Sequence, residues 1–222
     1  SVVPNLPYDV ERDFAAITNI FIQPLVILVH PSLPVNTIQE LVAHIKANPG
    51  MEFASAGPAT SQHMAAEFFA HKAGLQMTHV PYRGSGPAMT DLIANNVRLL
   101  FDGTISAMPH IQSGRARALA VTTARRFPGL PDVPTVAETV VPNYEAAGWS
   151  GVIAPAATPA PILRKINSDI VAILSGDTMK QRIADLAAVP DPQTPEVFSA
   201  FIRSETAKWR EVARVANVRL EG

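Results

Sequence analysis

Three segments decide the fold: F-A-S-A-G-P-A-T-S-Q-H-M at Phe53–Met64, H-V-P-Y-R-G-S-G-P-A-M-T-D-L at His79–Leu92, and L-L-F-D-G-T-I-S-A at Leu99–Ala107. Each has the same grammar. A short apolar run ends in a turn of Gly, Ser, Thr or Pro, and a helix-like pattern begins. Each turn therefore sits where a strand hands over to a helix. The first N–H groups of a helix have no intrahelical partner, and the aligned peptide dipoles add partial positive charge there. Three such ends converging on one crevice make a site for an anion, best matched by the carboxylate of a small organic acid that is bound and not transformed.

Working outward, Leu25–His30 (L-V-I-L-V-H) is a continuous β-branched and apolar run, which predicts a fully buried parallel strand ended by Pro31 and Pro34. Phe14–Phe21 reads as a separate strand, and residues 1–13 as a polar, proline-broken lead-in. Thr37-Ile-Gln-Glu40 is a capping box, followed by Leu41 and Ile45 at helical spacing and closed by Asn48-Pro-Gly50. A strand over Phe53–Ser55 leads to a helix from Thr60 to Gly74. Met77–Val80 leads to a helix over Ser85–Asn95, with Pro87 in its first turn, where a missing N–H does no harm. Strands over Val97–Phe101 and Ala118–Thr122 flank a short helix over Ser106–Gln112. This β-α alternation implies right-handed crossovers and a mostly parallel sheet. Beyond it come a loop at Arg125–Pro134, a short helix at Thr135–Val140, a strand at Ala147–Ala154 whose glycines suggest close backbone approach, and a linker at Pro155–Pro161. The rest is helical, over about 159–174, 178–187 and 195–215, the last opened by Thr194-Pro195-Glu196. The expected division is residues 1–28 and 153–222 in one lobe and 29–152 in another, contiguous α/β lobe.

Composition narrows the function. In 222 residues, 47% are hydrophobic and 17% charged, which is enough apolar material for a sizeable core. Basic and acidic residues number 18 and 19, no basic run stands out, and nucleic acid is not an expected partner. No apolar run reaches a membrane span, so direct insertion is not expected. The absence of Cys excludes disulfides, Cys-based zinc sites and thiol catalysis. The chain opens on S-V-V-P-N-L-P-Y-D with neither a basic n-region nor an apolar h-region, so any signal peptide lies outside this sequence.

Further motifs run through the chain in order: L-P-Y-D-V-E-R-D-F (Leu6–Phe14), V-H-P-S-L-P (Val29–Pro34), A-S-A-G-P-A-T-S-Q-H (Ala54–His63), H-V-P-Y-R-G-S-G-P-A (His79–Ala88), S-A-M-P-H-I (Ser106–Ile111), L-P-D-V-P-T-V-A-E (Leu130–Glu138) and A-P-A-A-T-P (Ala154–Pro159). Together they resemble the extracytoplasmic, Bug-type solute receptors of tripartite tricarboxylate transporters. The resemblance implies a two-lobed periplasmic-binding-protein type II fold with mostly parallel sheets flanked by helices. It implies a periplasmic, monomeric, non-enzymatic protein without cofactor or metal. Such a protein hands dicarboxylates, tricarboxylates, acidic amino acids or aromatic acids to a membrane transporter. The family's first lobe normally opens with a strand, a Pro-Gly-Gly-rich loop and a helix upstream of Leu6; this sequence lacks them, so the expectation is either a truncated product or fragment, or a first lobe missing half its sheet. Ala59 and Ala157 stand where Gly is common in the family.

The candidate ligand-binding residues follow from the turns. In the first, Ser55 ends the strand, Gly57 lets the backbone approach a ligand, and Thr60 and Ser61 either cap the helix or also donate hydroxyls to a carboxylate. His63, in the first helical turn, is a ligand contact or a structural histidine. In the second, Gly84 and Ser85 offer N–H groups, Tyr82 packs with its hydroxyl toward the cleft, and Arg83 either pairs with a distal carboxylate or stays solvated. Asp102 either caps the following turn or, as the resemblance implies for amino-acid-binding relatives, meets a ligand ammonium. Trp149 walls the cleft or belongs to the core. A serine hydrolase built on Ser55 or Ser85 is the enzymatic alternative, but the G-x-S-x-G elbow is missing and no H-E-x-x-H zinc spacing occurs. An effector-sensing domain of a regulator shares the architecture but needs a helix-turn-helix before Ser1.

Overall fold

The computed structural model describes residues 7–219. They divide into two compact units, one of Pro24–Gly148 and the other of the residues up to Gln23 together with those from Trp149 on.

The Pro24–Gly148 unit is an α/β sandwich. Its strands are the second part of β1 (Phe14–Val29), β2 (Met51–Ser55), β3 (Met77–Pro81), β4 (Leu99–Gly103) and β5 (Arg117–Val121), in the sheet order β3-β2-β4-β1-β5. The prediction of a buried strand at Leu25–His30 holds, but its direction does not. β2 pairs parallel with β3 and β4, whereas β1 runs antiparallel to β4 (Leu25 opposite Gly103, Val29 opposite Leu99) and to β5. The sheet is therefore mixed. A strand covered on both faces shows the same unbroken apolar run whichever way it points, so the pattern could not give direction. Phe14–Phe21 and Leu25–His30 are also one strand, with Pro24 inside it where its partners change from one unit to the other.

Helices α2 (Ile38–Ala47), α3 (Ser61–Ala73), α4 (Ser85–Ile93), α5 (Thr104–Gln112) and α6 (Val136–Thr139) complete this unit; a helix α1 (Val10–Asp13) precedes β1, within the span expected to be irregular lead-in. The capping box on α2 forms as expected, Thr37 Oγ1 accepting from Glu40 N at 3.1 Å. One side of the sheet buries Val26, Leu28, Ala54, Leu100 and the α4 residues Met89 and Leu92. Phe53, Phe69, Phe101 and Tyr144 form an aromatic core in which the Tyr144 hydroxyl donates to Ala65 O at 2.8 Å.

In the other unit the first half of β1 pairs with β6 (Ala147–Pro155) and, antiparallel, with β7 (Val189–Pro190), under α7 (Ala160–Ser175), α8 (Asp177–Asp185) and α9 (Pro195–Val215). Thr194 caps α9 as its sequence predicts. Gly151 shows why β6 carries glycine: a Cβ there would lie 2.1 Å from the Phe198 ring. Among the described residues no helix is long and apolar enough to cross a membrane.

Candidate functional site

Because β2, β3 and β4 are parallel, the helices that follow them, α3, α4 and α5, all start at the same edge of the sheet. Backbone bonds tie the first two turns together: Tyr82 N donates to Ser55 O at 3.2 Å, and Gly84 N to Ala56 O at 2.9 Å. Side chains tie in the third. Asp102, wholly buried at the end of β4, accepts from Ser85 Oγ at 2.6 Å, from Ser106 Oγ at 2.7 Å and from its neighbour Gly103 N at 2.8 Å; Gln62 of α3 also helps to steady its charge. Burial pushes this carboxyl above its usual value, and the donors around it pull back.

The structure brings Ser55, Gly57, Thr60, Ser61, His63, Tyr82, Arg83, Gly84, Ser85 and Asp102 to this edge. Gly57 adopts φ +133°, and a Cβ on it would meet Tyr82 O at 2.9 Å, so only glycine fits without displacing backbone. Thr60 is the N-cap of α3, accepting from His63 N at 3.3 Å while its hydroxyl donates to Gly57 O at 2.7 Å; Ser61 Oγ donates to Gln62 Oε1 at 3.1 Å. Gly103 opens α5 and Gly84 (φ +107°) opens α4, both without a side-chain cap; at α4 this leaves the Ser85 and Gly86 amides as donors without a side-chain partner. Arg83 is exposed beside them. The Tyr82 hydroxyl donates to Asp91 Oδ2 at 2.7 Å, and burial together with that acid pushes its pKa up to about 12. Trp149 lies in the other unit, edge-on to Phe198 and Phe201 with ring centroids 5.8 and 5.4 Å apart.

Three residues here escaped the sequence reading. Ser106 and Gln62 act through Asp102. His79, on β3, stacks on His63 with ring centroids 3.7 Å apart, and its Nε2 lies 2.7 Å from Ser55 Oγ. The spacing of β2 and β3 places it there, because Phe53 is paired with His79 across the parallel ladder. Burial and the neighbouring His63 hold its pKa down to about 4.

This arrangement suits binding rather than nucleophilic chemistry. The Ser55 hydroxyl is fully buried between Gly57 and His79, and the Ser85 hydroxyl is held by the buried Asp102 carboxyl with no histidine bonded to it among the described residues. No group of three or more His, Asp or Glu among the described residues could hold a metal ion.

The sequence model of the family described as "Tripartite tricarboxylate transporter family receptor" matches residues 1–218. The chain belongs to this family. A UPF0065 protein encoded between tcbD and tcbE in Pseudomonas sp. (strain P51) is 36% identical over 94% of this chain and 63% of its own length. Protein BugT of Bordetella pertussis is 32% identical over 100% of this chain and 68% of its own length. A solved structure, R. palustris Rpa4515 with adipate, superposes with a TM-score of 0.87 at 33% identity, covering 98% of this chain and 73% of that one. The chain thus spans about two thirds of the length of the curated relatives it matches. The receptor family and its fold are those of substrate-binding proteins, in keeping with the two-unit α/β architecture.

Proposed function

We propose that this chain is the ligand-binding part of an extracytoplasmic receptor that captures a small carboxylated solute, a dicarboxylate first among the candidates, and delivers it in the periplasm to the membrane components of a tripartite tricarboxylate-type transporter. The observation that carries the reading is the set of helix starts on one sheet edge, tied together by Asp102 and by backbone bonds between the first two turns, with the α4 and α5 starts left without a side-chain cap. The Ser85 and Gly86 amides then receive one carboxylate, aided by the dipole of α4. Arg83 stands beside them as a fork donor for a second carboxylate. Asp102, held by donors of three elements, keeps the turns in register and favours a ligand that turns a donor rather than a second anion toward it. A relative solved with adipate supports a dicarboxylate over a tricarboxylate or an aromatic acid.

Titration calorimetry with adipate, citrate, glutamate and benzoate tests this. Binding of at least one acid, weakened roughly tenfold or more by Arg83→Ala when that acid carries two carboxylates, is the expected result. Failure of every acid to bind overturns the reading.

A further inference from the structure

The first turn is held by a device that no ligand needs to touch. Gly57 has both backbone groups committed: its N–H donates to Ser55 Oγ at 3.1 Å, and its carbonyl accepts the Thr60 hydroxyl at 2.7 Å. The Ser55 hydroxyl also lies 3.2 Å from Gly57 O. A hydroxyl has one proton, and the shorter partner is His79 Nε2 at 2.7 Å. With Ser55 donating to His79, Thr60 donating to Gly57 O and Gly57 N donating to Ser55, every group in the loop is satisfied once. His79 is itself fixed by its neighbours. Its ring lies between Phe53, 5.0 Å away, and His63, 3.7 Å away and 12° from parallel. His63 secures the same loop two residues on, since its Nδ1 accepts from Ala59 N at 3.0 Å. That bond leaves the His63 proton on Nε2, toward Glu67 Oε1 at 3.4 Å.

We propose that His79 is a positioning residue for the carboxylate-binding turn: through Ser55 it sets the Gly57 peptide, and with it the start of α3, while His63 pins Ala59 from the same ring stack. His63 is then a structural member of this pair and not a ligand contact. The proposal deepens the receptor reading and rests on it for its link to affinity, but its effect on the loop is independent of any ligand.

Two substitutions separate the hydrogen bond from the packing. His79→Phe keeps a ring between Phe53 and His63 and removes the bond to Ser55. His79→Gln gives up the ring but sets an amide near the position of Nε2. The expected result in the ligand-free 222-residue chain is that exchange of the Gly57 amide quickens about tenfold in His79→Phe and remains near the unmodified rate in His79→Gln. Ser55→Ala, which also removes the direct acceptor of the Gly57 N–H, should quicken exchange at least as much as His79→Phe, and adding His79→Phe to it should add nothing, because His79 reaches Gly57 only through Ser55. Adipate affinity should fall about three- to tenfold in His79→Phe and be restored in His79→Gln. A packing role gives the reverse order, with His79→Gln the more damaged. That order, equal damage in both, or unchanged Gly57 exchange in His79→Phe overturns the proposal. If the unmodified chain binds no acid, the receptor reading fails by itself, and Gly57 exchange still decides the role of His79.

Discussion

The two edges of the Pro24–Gly148 sheet are built from the same strands and differ in nearly everything else. At the edge where β2, β3 and β4 end, buried polar side chains (Ser55, His63, Asp102, Thr104) lace three helix starts together. At the edge where those strands begin lies a cavity of about 440 Å³ lined by residues that include His44, Glu52, Asn96 and Arg98. The helix ends at this edge are closed locally: Asn48 bonds His44 O, and Gly74 takes the left-handed conformation after α3. The contrast teaches that space alone does not mark a binding edge. Helix starts leave donors over and gather acceptors from across the sheet, while helix ends satisfy their carbonyls within a turn.

Glycine gives the strongest way to break this contrast, with one test position at each edge. Gly57 and Gly74 both have positive φ, but only at Gly57 does a Cβ meet backbone, 2.9 Å from Tyr82 O; at Gly74 nothing lies within 4 Å. Gly57→Ala should destabilise the protein by roughly 3 kcal/mol and lower adipate affinity more than tenfold, against about 1 kcal/mol and no change in affinity for Gly74→Ala. Urea denaturation and calorimetry read both. Equal effects would mean that the first turn is no more constrained than an ordinary helix end.

The buried acid comes next. Asp102→Leu leaves Ser85 Oγ and Gly103 N without their acceptor and Ser106 Oγ with Gly103 O alone, and should cost about 2 kcal/mol by urea denaturation. Arg98→Ala on the exposed opposite rim should stay within about 0.5 kcal/mol. A loss at Arg98 as large as that at Asp102 would erase the distinction between a laced and a locally closed edge.

Titration sharpens the comparison from within the laced edge. His79 is neutral in the folded protein down to about pH 4, while the unfolded chain takes up its proton near the ordinary 6.5. The unfolded state therefore binds more protons in this window, and stability falls as pH drops from about 6.5 towards 4. Asp102, with its carboxyl raised by burial, works in the opposite sense, adding stability as pH falls through its folded value. The comparison with His79→Gln isolates the first effect: the stability difference between pH 7 and pH 4.5 should be larger in the unmodified chain. The same slope in both would show that His79 does not stay neutral on folding.

Much of this was legible because the signals are local. Thr37, Thr60 and Thr194 announced their helices, and the Gly-Ser-Pro turns announced where strands hand over. What escaped was set by pairing between distant strands. Nothing at Gln23-Pro24 says that the chain continues as one strand, and nothing in Leu25–His30 says which way it runs. His79 looked like an ordinary strand residue because its meaning lies across the ladder, where Phe53 and Ser55 place a ring stack and a hydroxyl beside it. An end-of-strand acid is legible at Asp102, but its side-chain donors Ser85 and Ser106 come from two helices that only the sheet brings together.

The smallest expected effect sets two non-glycine residues of left-handed backbone against each other, Ala59 in the first turn (φ +57°) and Asn95 on the opposite rim (φ +61°). Alanine meets its full steric penalty in this conformation, about 1 kcal/mol, because its side chain has no local bond to offer. Asparagine visits the region readily, and Asn95 also accepts from Ser32 Oγ at 3.3 Å. Glycine removes the penalty at either position but frees the unfolded chain, which takes back roughly 0.5–1 kcal/mol. Ala59→Gly should therefore leave stability unchanged or raise it by a few tenths of a kcal/mol, whereas Asn95→Gly should lower it by about 0.5–1 kcal/mol, measured by thermal denaturation of each. If Ala59→Gly is instead the more destabilising of the two, then the Ala59 N–H bond to His63 needs the stiffness that alanine gives the turn, and the ring stack holds the loop less firmly than its distances indicate.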